Sequence, residues 1–367
     1  MAATEVLIIG GGPAGTATAI ALARAGRAAC VVEQTRYEAA RVGEHLAPDC
    51  RPLLEQLGLS AHVAAGGHLP SPGVRVAWNS EAPYERDYIF SAYGSGLNLD
   101  RRRFDASLAR AAAGAGVEVL TGARLGSLDG GAGGWRARLD GGRRSGAAIA
   151  ARFLVDATGR CASVARRLGA RRAGPDRLIA LSAGLEDDDP GPADPWLCVE
   201  PIATGWWYAA ALPERWLTAV LLTDRDLVPG GAAGAQQLWK ASAAKTHLIA
   251  SLLGRYRRQI AFRISAAQSF RLEPATGTGW LAVGDAAMAV DPLSSMGILM
   301  ALRSGIAAAR GIAGHLDGDG DALERHAQEV AQRFDGYLAE RAAVYALEQR
   351  WADAPFWQRR RPPLPPP

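Results

Sequence analysis

The chain has 367 residues, 49% apolar and 21% charged, enough to bury a sizeable core, so a disordered protein is excluded. That length suits one large domain or two fused ones. With 41 basic against 37 acidic residues the net charge is only +4, too small to point to a nucleic-acid partner.

Nearly all the basic residues are arginines, because Lys240 and Lys245 are the only lysines. Cys30, Cys50, Cys161 and Cys198 lie far apart, so neither a disulfide framework nor a metal site is expected. No basic region precedes the N-terminal apolar stretch, and no apolar run reaches about 18 residues. These features predict a cytoplasmic protein without a signal peptide or membrane-spanning segment.

Glu5 to Ile9 form a short apolar run that passes directly into Gly10-Gly11-Gly12-Pro13-Ala14-Gly15. An alanine-rich helical pattern then runs to Arg24 and stops at Gly26. A second apolar run, Ala28 to Val32, ends in Glu33. Strand, glycine turn, helix, strand and acid in about 30 residues form a dinucleotide-binding unit. Gly10 permits the tight turn, Gly12 lets backbone approach a pyrophosphate, and Gly15 lets helix and strand pack closely. Pro13 and Ala14 complete the fingerprint and open the helix, whose unpaired N–H groups face the phosphates. Glu33 is placed to accept hydrogen bonds from ribose hydroxyls. A glycine-rich turn in an ordinary sheet is the plainer alternative, and the unit alone does not choose between NAD and FAD.

Further along, Gly73 to Trp78, Trp207 to Leu212 and Leu217 to Thr223 alternate as strands. Phe153 to Asp156 reads as a buried strand that enters an Asp-x-x-Gly turn at Gly159, followed by an arginine-rich helix. Leu185 to Pro195 reads as an acidic, proline-broken turn or loop. Gly279 to Val283 is a short strand leading to Gly284, Asp285 and then Asp291-Pro292, with a long helix from Gly297. Asp156 and Asp285, at strand ends beside glycines, suit ribitol or ribose hydroxyls, although each alone could be a turn or cap acid. Residues 318 to 352 carry an amphipathic helical pattern, and Arg359 to Pro367 form a basic, proline-rich tail expected to be disordered.

In this order, GGGPAG, DATGR and GDAAMAVDPLSSMG resemble the three fingerprints of FAD-dependent monooxygenases of the aromatic hydroxylase and flavin-dependent halogenase superfamily. The resemblance spans roughly residues 3 to 315. Arg41 to Pro48 (RVGEHLAP) resembles the segment that lies against the flavin in the halogenase-like branch. Leu99 to Asp105 (LDRRRFD) also resembles that branch, where the residue matched by Arg101 reaches the FAD phosphates.

The resemblance implies an α/β, Rossmann-like FAD-binding domain interrupted by a sheet-rich α+β substrate domain. Its expected pieces are 1–70, 98–170 and 268–315 for FAD, and 71–97 and 171–267 for substrate. A C-terminal helical segment at 316–358 and the tail at 359–367 complete the plan. Cofactor contacts are expected from Gly10, Gly12, Pro13, Ala14, Gly15, Glu33, Gly43, Arg101, Asp156, Gly159, Gly284, Asp285, Pro292 and Gly297. No second glycine fingerprint is present, so NAD(P)H either binds transiently or acts through a separate flavin reductase.

In this superfamily a hydroperoxide on the reduced flavin, made with O2, delivers oxygen directly or generates hypohalous acid that meets a lysine. Here His68 to Arg75, which matches the lysine-bearing stretch, contains none. The Trp-x-Trp-x-Ile-Pro signature is eroded to Trp206-Trp207-Tyr208-Ala209-Ala210-Ala211. Ser294 stands where tryptophan halogenases carry a glutamate. Halogenation is therefore disfavoured and hydroxylation expected.

Glu44 and His45 are the candidate catalytic bases, with Asp49 and Asp291 as further carboxylates. For Glu44 and His45 structural roles are the competing reading, and Trp206, Trp207 and Tyr208 could equally fill a sheet face. The pattern most resembles flavoprotein maturases that hydroxylate a tryptophan of a partner during cysteine tryptophylquinone formation. On that reading Trp78, Trp206, Trp207 and Tyr208 sit at the pocket mouth, with Arg255, Arg257 and Arg258 toward the partner. A small-molecule aromatic hydroxylase, a geranylgeranyl-reductase-type flavoenzyme and a non-catalytic flavoprotein chaperone are the alternatives.

Overall fold

The computed structural model describes residues 2–131, 133–174, 176–187 and 191–361. Strand Ala2–Ile9 lies between Ala29–Glu33 and Ala148–Asp156, parallel to both, and Trp280–Ala282 and Glu118–Thr121 extend the sheet on either side. Ile9 is opposite both Val32 and Asp156, so three strands end at one edge of the sheet. The chain order reverses there, and such a switch point leaves a crevice beyond the carboxyl ends. An antiparallel pair, Ala123–Gly131 and Gly134–Gly141, joins the flank of Ala148–Asp156.

Both faces of this sheet are covered, which explains the unbroken apolar runs. Val6, Ile8, Val31, Phe153 and Val155 pack in one core with helices Pro13–Arg24, Arg101–Gly114 and Gly297–Leu316. Leu7, Ile9, Val32 and Leu154 pack in the other, with Phe334 of helix Ala322–Leu347.

A second sheet has seven strands among the described residues, running from Tyr256–Ala266 at one edge to Tyr84–Asp87 at the other. Successive strand residues point to opposite faces. Trp207 therefore packs on Trp239 of helix Gly231–Ala243, while Trp206 faces Trp78, Tyr345 and Trp357. The two lysines are exposed, in or just after that helix, behind the sheet.

Two segments differ from the sequence reading. The expected loop from Leu185 begins as strand, because Leu178–Asp187 pairs on both sides as far as Glu186 and Asp187; residues 188–190 lie outside the described ones. The expected loose tail is anchored at its start: Arg359 and Arg360 both donate to Asp224, and Arg360 is buried. Its remainder, 362–367, is outside the described residues.

Candidate active site

A cavity of about 810 Å³ lies where the two sheets meet. Gly10, Gly12, Pro13 and Ala14 line it from the first turn, and Gly297 from the start of the helix Gly297–Leu316. Glu33, Gly43, Glu44, His45, Arg101, Gly159, Asp285 and Pro292 line it too. Ala180, Leu197, Val199, Trp206, Tyr208 and Leu222 form the wall supplied by the second sheet.

Three expected cofactor contacts do not line the cavity and act behind it. A Cβ on Gly15 would lie 2.0 Å from the Gly10 carbonyl oxygen, so this residue serves strand–helix packing. Gly284 is pressed against Ala14 in the same way. Asp156 is fully buried, and its carboxylate accepts from the Thr158 N–H and hydroxyl and from the N–H groups of Val164 and Ala165. With four donors already aimed at it, and outside the cavity lining, Asp156 shapes the turn that carries Gly159.

Glu33 is buried and also organised by the protein. It accepts from Gly11 N–H at 2.8 Å, from the Thr35 N–H and hydroxyl, and from Arg41 at 3.2 Å. Unlike Asp156, Glu33 also lines the cavity, and Glu33→Ala should weaken FAD binding by about 1–3 kcal/mol, the cost of leaving ribose hydroxyls unpaired in a closed site. Titration of flavin fluorescence measures this, and unchanged affinity would contradict it.

Arg101 lines the cavity with most of its donors already engaged. It grips Asp105 with two nitrogens at 3.1 Å and donates to the carbonyls of Val42 and Gly43. Gly43 has φ +91°, a conformation costly for other residues, and this bends the segment over the arginine. Asp285, whose carboxylate is 37% exposed toward the cavity, pairs with Arg160 at 3.3 Å. The protein walls enclosing that cavity desolvate the carboxyl and raise its pKa, against the opposing charges of Arg160 and Arg101.

The two candidate bases separate clearly. Asn98 Nδ2 donates to Pro195 O, so its Oδ1 accepts from His45 Nδ1–H at 3.0 Å. His45 Nε2 then accepts from the Tyr88 hydroxyl, also at 3.0 Å. Burial lowers the His45 pKa, and both nitrogens are occupied, so His45 fixes the segment and has no free lone pair for a substrate. Glu44 Oε2 accepts from Gly43 N–H at 2.8 Å and from Tyr208 at 3.4 Å. Asp49 is exposed and outside the lining, whereas Asp291 is buried in it.

Burial pushes the Glu44 carboxyl above its ordinary 4.5, opposed by hydrogen bonds from Thr218 and Gly43 and by the charge of Arg101. A folded-state pKa raised above the unfolded one adds stability below 4.5, lost as pH rises through the raised value. Glu44→Gln should therefore flatten the fall in melting temperature of cofactor-free protein across that window. An unchanged slope would refute the assignment.

The cavity fits a dinucleotide on its own geometry. Gly12 caps the first helix without a side-chain acceptor, and a Cβ there would meet nothing within 4 Å, so backbone donors face open space. Sequence reading missed Arg160, Arg41 and Arg263, which joins the second sheet to the flavin side by donating to Ala40 O at 2.7 Å. Arg160 stood within the quoted DATGR motif, whereas Arg263 carried no sequence signal. Trp78 and Trp207, expected at the pocket mouth, do not line the cavity. Arg255 donates to Pro192 O and Arg258 pairs with Glu186, while the Arg257 side chain is outside the described set.

A family model described as an FAD binding domain matches residues 3–346, so the chain belongs to that FAD-binding family. It is an FAD-dependent oxidoreductase with the α/β fold of the flavin-dependent halogenases and hydroxylases. The "Putative FAD-dependent oxidoreductase LodB" of Marinomonas mediterranea is 26% identical, over 98% of this chain and 97% of its own. "Tryptophan 2-halogenase" of Chondromyces crocatus is 27% identical over 94% of this chain and 67% of its own. Among solved structures, the "Peptidyl tryptophan dihydroxylase QhpG essential for tryptophylquinone cofactor biogenesis" superposes with a TM-score of 0.79 at 29% identity, over 98% of this chain and 79% of that one. The halogenase CmlS gives a TM-score of 0.84 at 24% identity, covering 99% and 68%. Among the described residues, no helix is long and apolar enough to cross a membrane.

Proposed function

We propose that this protein is a monooxygenase that hydroxylates a tryptophan side chain presented by a protein or peptide, as in maturation of a tryptophylquinone enzyme. The observation that carries this reading is the composition of the second sheet's wall. Trp206, Tyr208 and aliphatic side chains face the cavity, and no lysine is among its lining residues. An indole fits that wall, while the amine that meets hypohalous acid is lacking. An arginine is no substitute, because its guanidinium stays charged and is a poor nucleophile. The similarity to the peptidyl tryptophan dihydroxylase supports a macromolecular substrate.

Bound and reduced, FAD would supply activated oxygen from O2, with electrons from NAD(P)H directly or through a flavin reductase. One oxygen atom enters the ring and the other leaves as water. Residues 1–70, 98–170 and 268–315 would hold the cofactor, and 71–97 and 171–267 the substrate. Glu44, beside Tyr208, is the group we assign to accept a proton at the cavity wall. The apolar wall excludes water, and docking contacts away from the reacting ring orient the indole.

Co-production with a candidate partner, followed by intact-mass analysis, tests this reading. We expect one partner tryptophan to gain the mass of one or two oxygen atoms, and Glu33→Ala, at limiting FAD, to diminish the gain. Rapid oxygenation of a free indole or phenol without any partner would instead establish a small-molecule hydroxylase. Incubation with a flavin reductase, halide and free tryptophan should yield no halogenated product.

A further inference from the structure

The wall at Trp206 continues as a line of touching aromatic rings through the protein. Trp206 is buried yet lines the cavity, and its indole N–H donates to the Tyr345 hydroxyl at 2.8 Å. The Trp78 ring lies 6.4 Å from Trp206, 5.8 Å from Tyr345 and 5.4 Å from Trp357. Tyr345 is itself 5.7 Å from Trp357. Trp357 in turn stacks on Trp351 at 6.1 Å, with planes 26° apart. Trp351 is half-buried and lies under the Arg350 guanidinium at the protein surface. Each step is a ring-to-ring contact except Trp206 to Tyr345, which is a hydrogen bond, and the steps connect the cavity to the protein surface.

We propose that these rings form an electron relay between the cavity and the surface at Trp351. Tryptophan and tyrosine are among the side chains most easily oxidised by one electron, and transfer through successive ring contacts outpaces one long jump. An oxygen-centred radical formed from O2 in the cavity takes one electron from Trp206 and becomes the corresponding anion, which takes up a proton to give water or peroxide. The vacancy passes through Trp78 or Tyr345 to Trp357 and then Trp351, where an external thiol or ascorbate replaces the electron. Oxidation of Tyr345 also requires loss of its phenolic proton. Asp291 Oδ2 accepts from that hydroxyl at 2.7 Å, so the proton has a place to go and to return from. Arg341, 3.3 Å from the same oxygen, keeps this acceptor in place. An oxygen-activating enzyme needs such an outlet when no substrate is present, because oxidising equivalents otherwise damage the cavity wall.

The inference rests on FAD occupying this cavity but not on the identity of the substrate. It can be tested with the full-length, FAD-loaded protein under anaerobic conditions, using light-excited oxidised flavin as the oxidant. A laser flash should produce rapid quenching of flavin fluorescence and a long-lived tryptophan radical. Trp351→Phe, near the surface, should leave flavin loading and melting temperature unchanged. It should shorten the radical lifetime by about an order of magnitude, because the vacancy stays on buried rings and recombines. Trp206→Phe should lengthen the flavin fluorescence lifetime several-fold. A wild-type radical lifetime in Trp351→Phe, or unchanged flavin fluorescence in Trp206→Phe, would overturn the relay and leave the rings as ordinary core. Flavin absorbance reports cofactor loading separately, so failure to bind FAD is distinguishable from failure of the relay.

Discussion

Gly10→Ala is expected to abolish flavin loading and to destabilise the fold by about 3 kcal/mol or more. The added methyl would lie 2.1 Å from the Ala157 carbonyl oxygen and 2.5 Å from its carbon. Those are backbone atoms of the next strand's turn and cannot rotate aside. The residue also sits at φ +113°, where a Cβ is strained even with space around it. Strain costs about 1–3 kcal/mol and displacement of packed backbone a similar amount. Gly12→Ala supplies the contrast. Gly12 has φ −76° and open space where the methyl would go, so stability should change by no more than about 0.5 kcal/mol. The same methyl would project into the cavity and weaken FAD binding. Denaturant unfolding with flavin absorbance separates the two outcomes; equal behaviour of both variants would refute the assignment.

Arg360→Ala should cost about 3 kcal/mol, although the residue lies only seven positions from the end of the chain. Its guanidinium holds both oxygens of buried Asp224, at 2.6 and 3.1 Å, donates to Phe356 O and lies 3.8 Å over the Phe356 ring. Truncation leaves a buried carboxylate with Arg359 alone, and removing one partner of a buried pair is far costlier than losing an exposed one. The last segment would then detach from the sheet, exposing the chain beyond Leu347 to protease. Urea unfolding and limited proteolysis measure both effects. A loss below about 0.5 kcal/mol would mean that Arg359 carries the contact by itself.

The same arginine shows where sequence reading stops. Arg359 to Arg361, next to six residues rich in proline, have the composition of a solvated tail. Asp224 and Asp226, the carboxylate partners of Arg359 and Arg360, lie more than 130 positions away, so no local pattern could announce the contact. Asp156 is a parallel case. Its position at a strand end beside a glycine is that of a ribose ligand, and only the folded turn reveals the four donors converging on it. His45 and Glu44, adjacent in sequence, were equivalent as candidate bases until Asn98 and Tyr88 closed both nitrogens of one of them.

By itself the sequence determined the dinucleotide unit, the start of the helix at Gly297 and the absence of lysine from residues 1–239. A glycine turn, a helix start and an alternating strand are set by steric limits acting over a few residues, so their signals are local. The tertiary structure decided that Trp206 faces the cavity while Trp207 faces a helix, because one residue of register exchanges the two faces of a strand. It also decided that Trp206, Trp78 and Trp357 meet at all. Residues 78, 206 and 357 come together only when the C-terminal segment crosses from the first sheet's core to the second's, a path set by packing and buried ion pairs between distant parts of the chain.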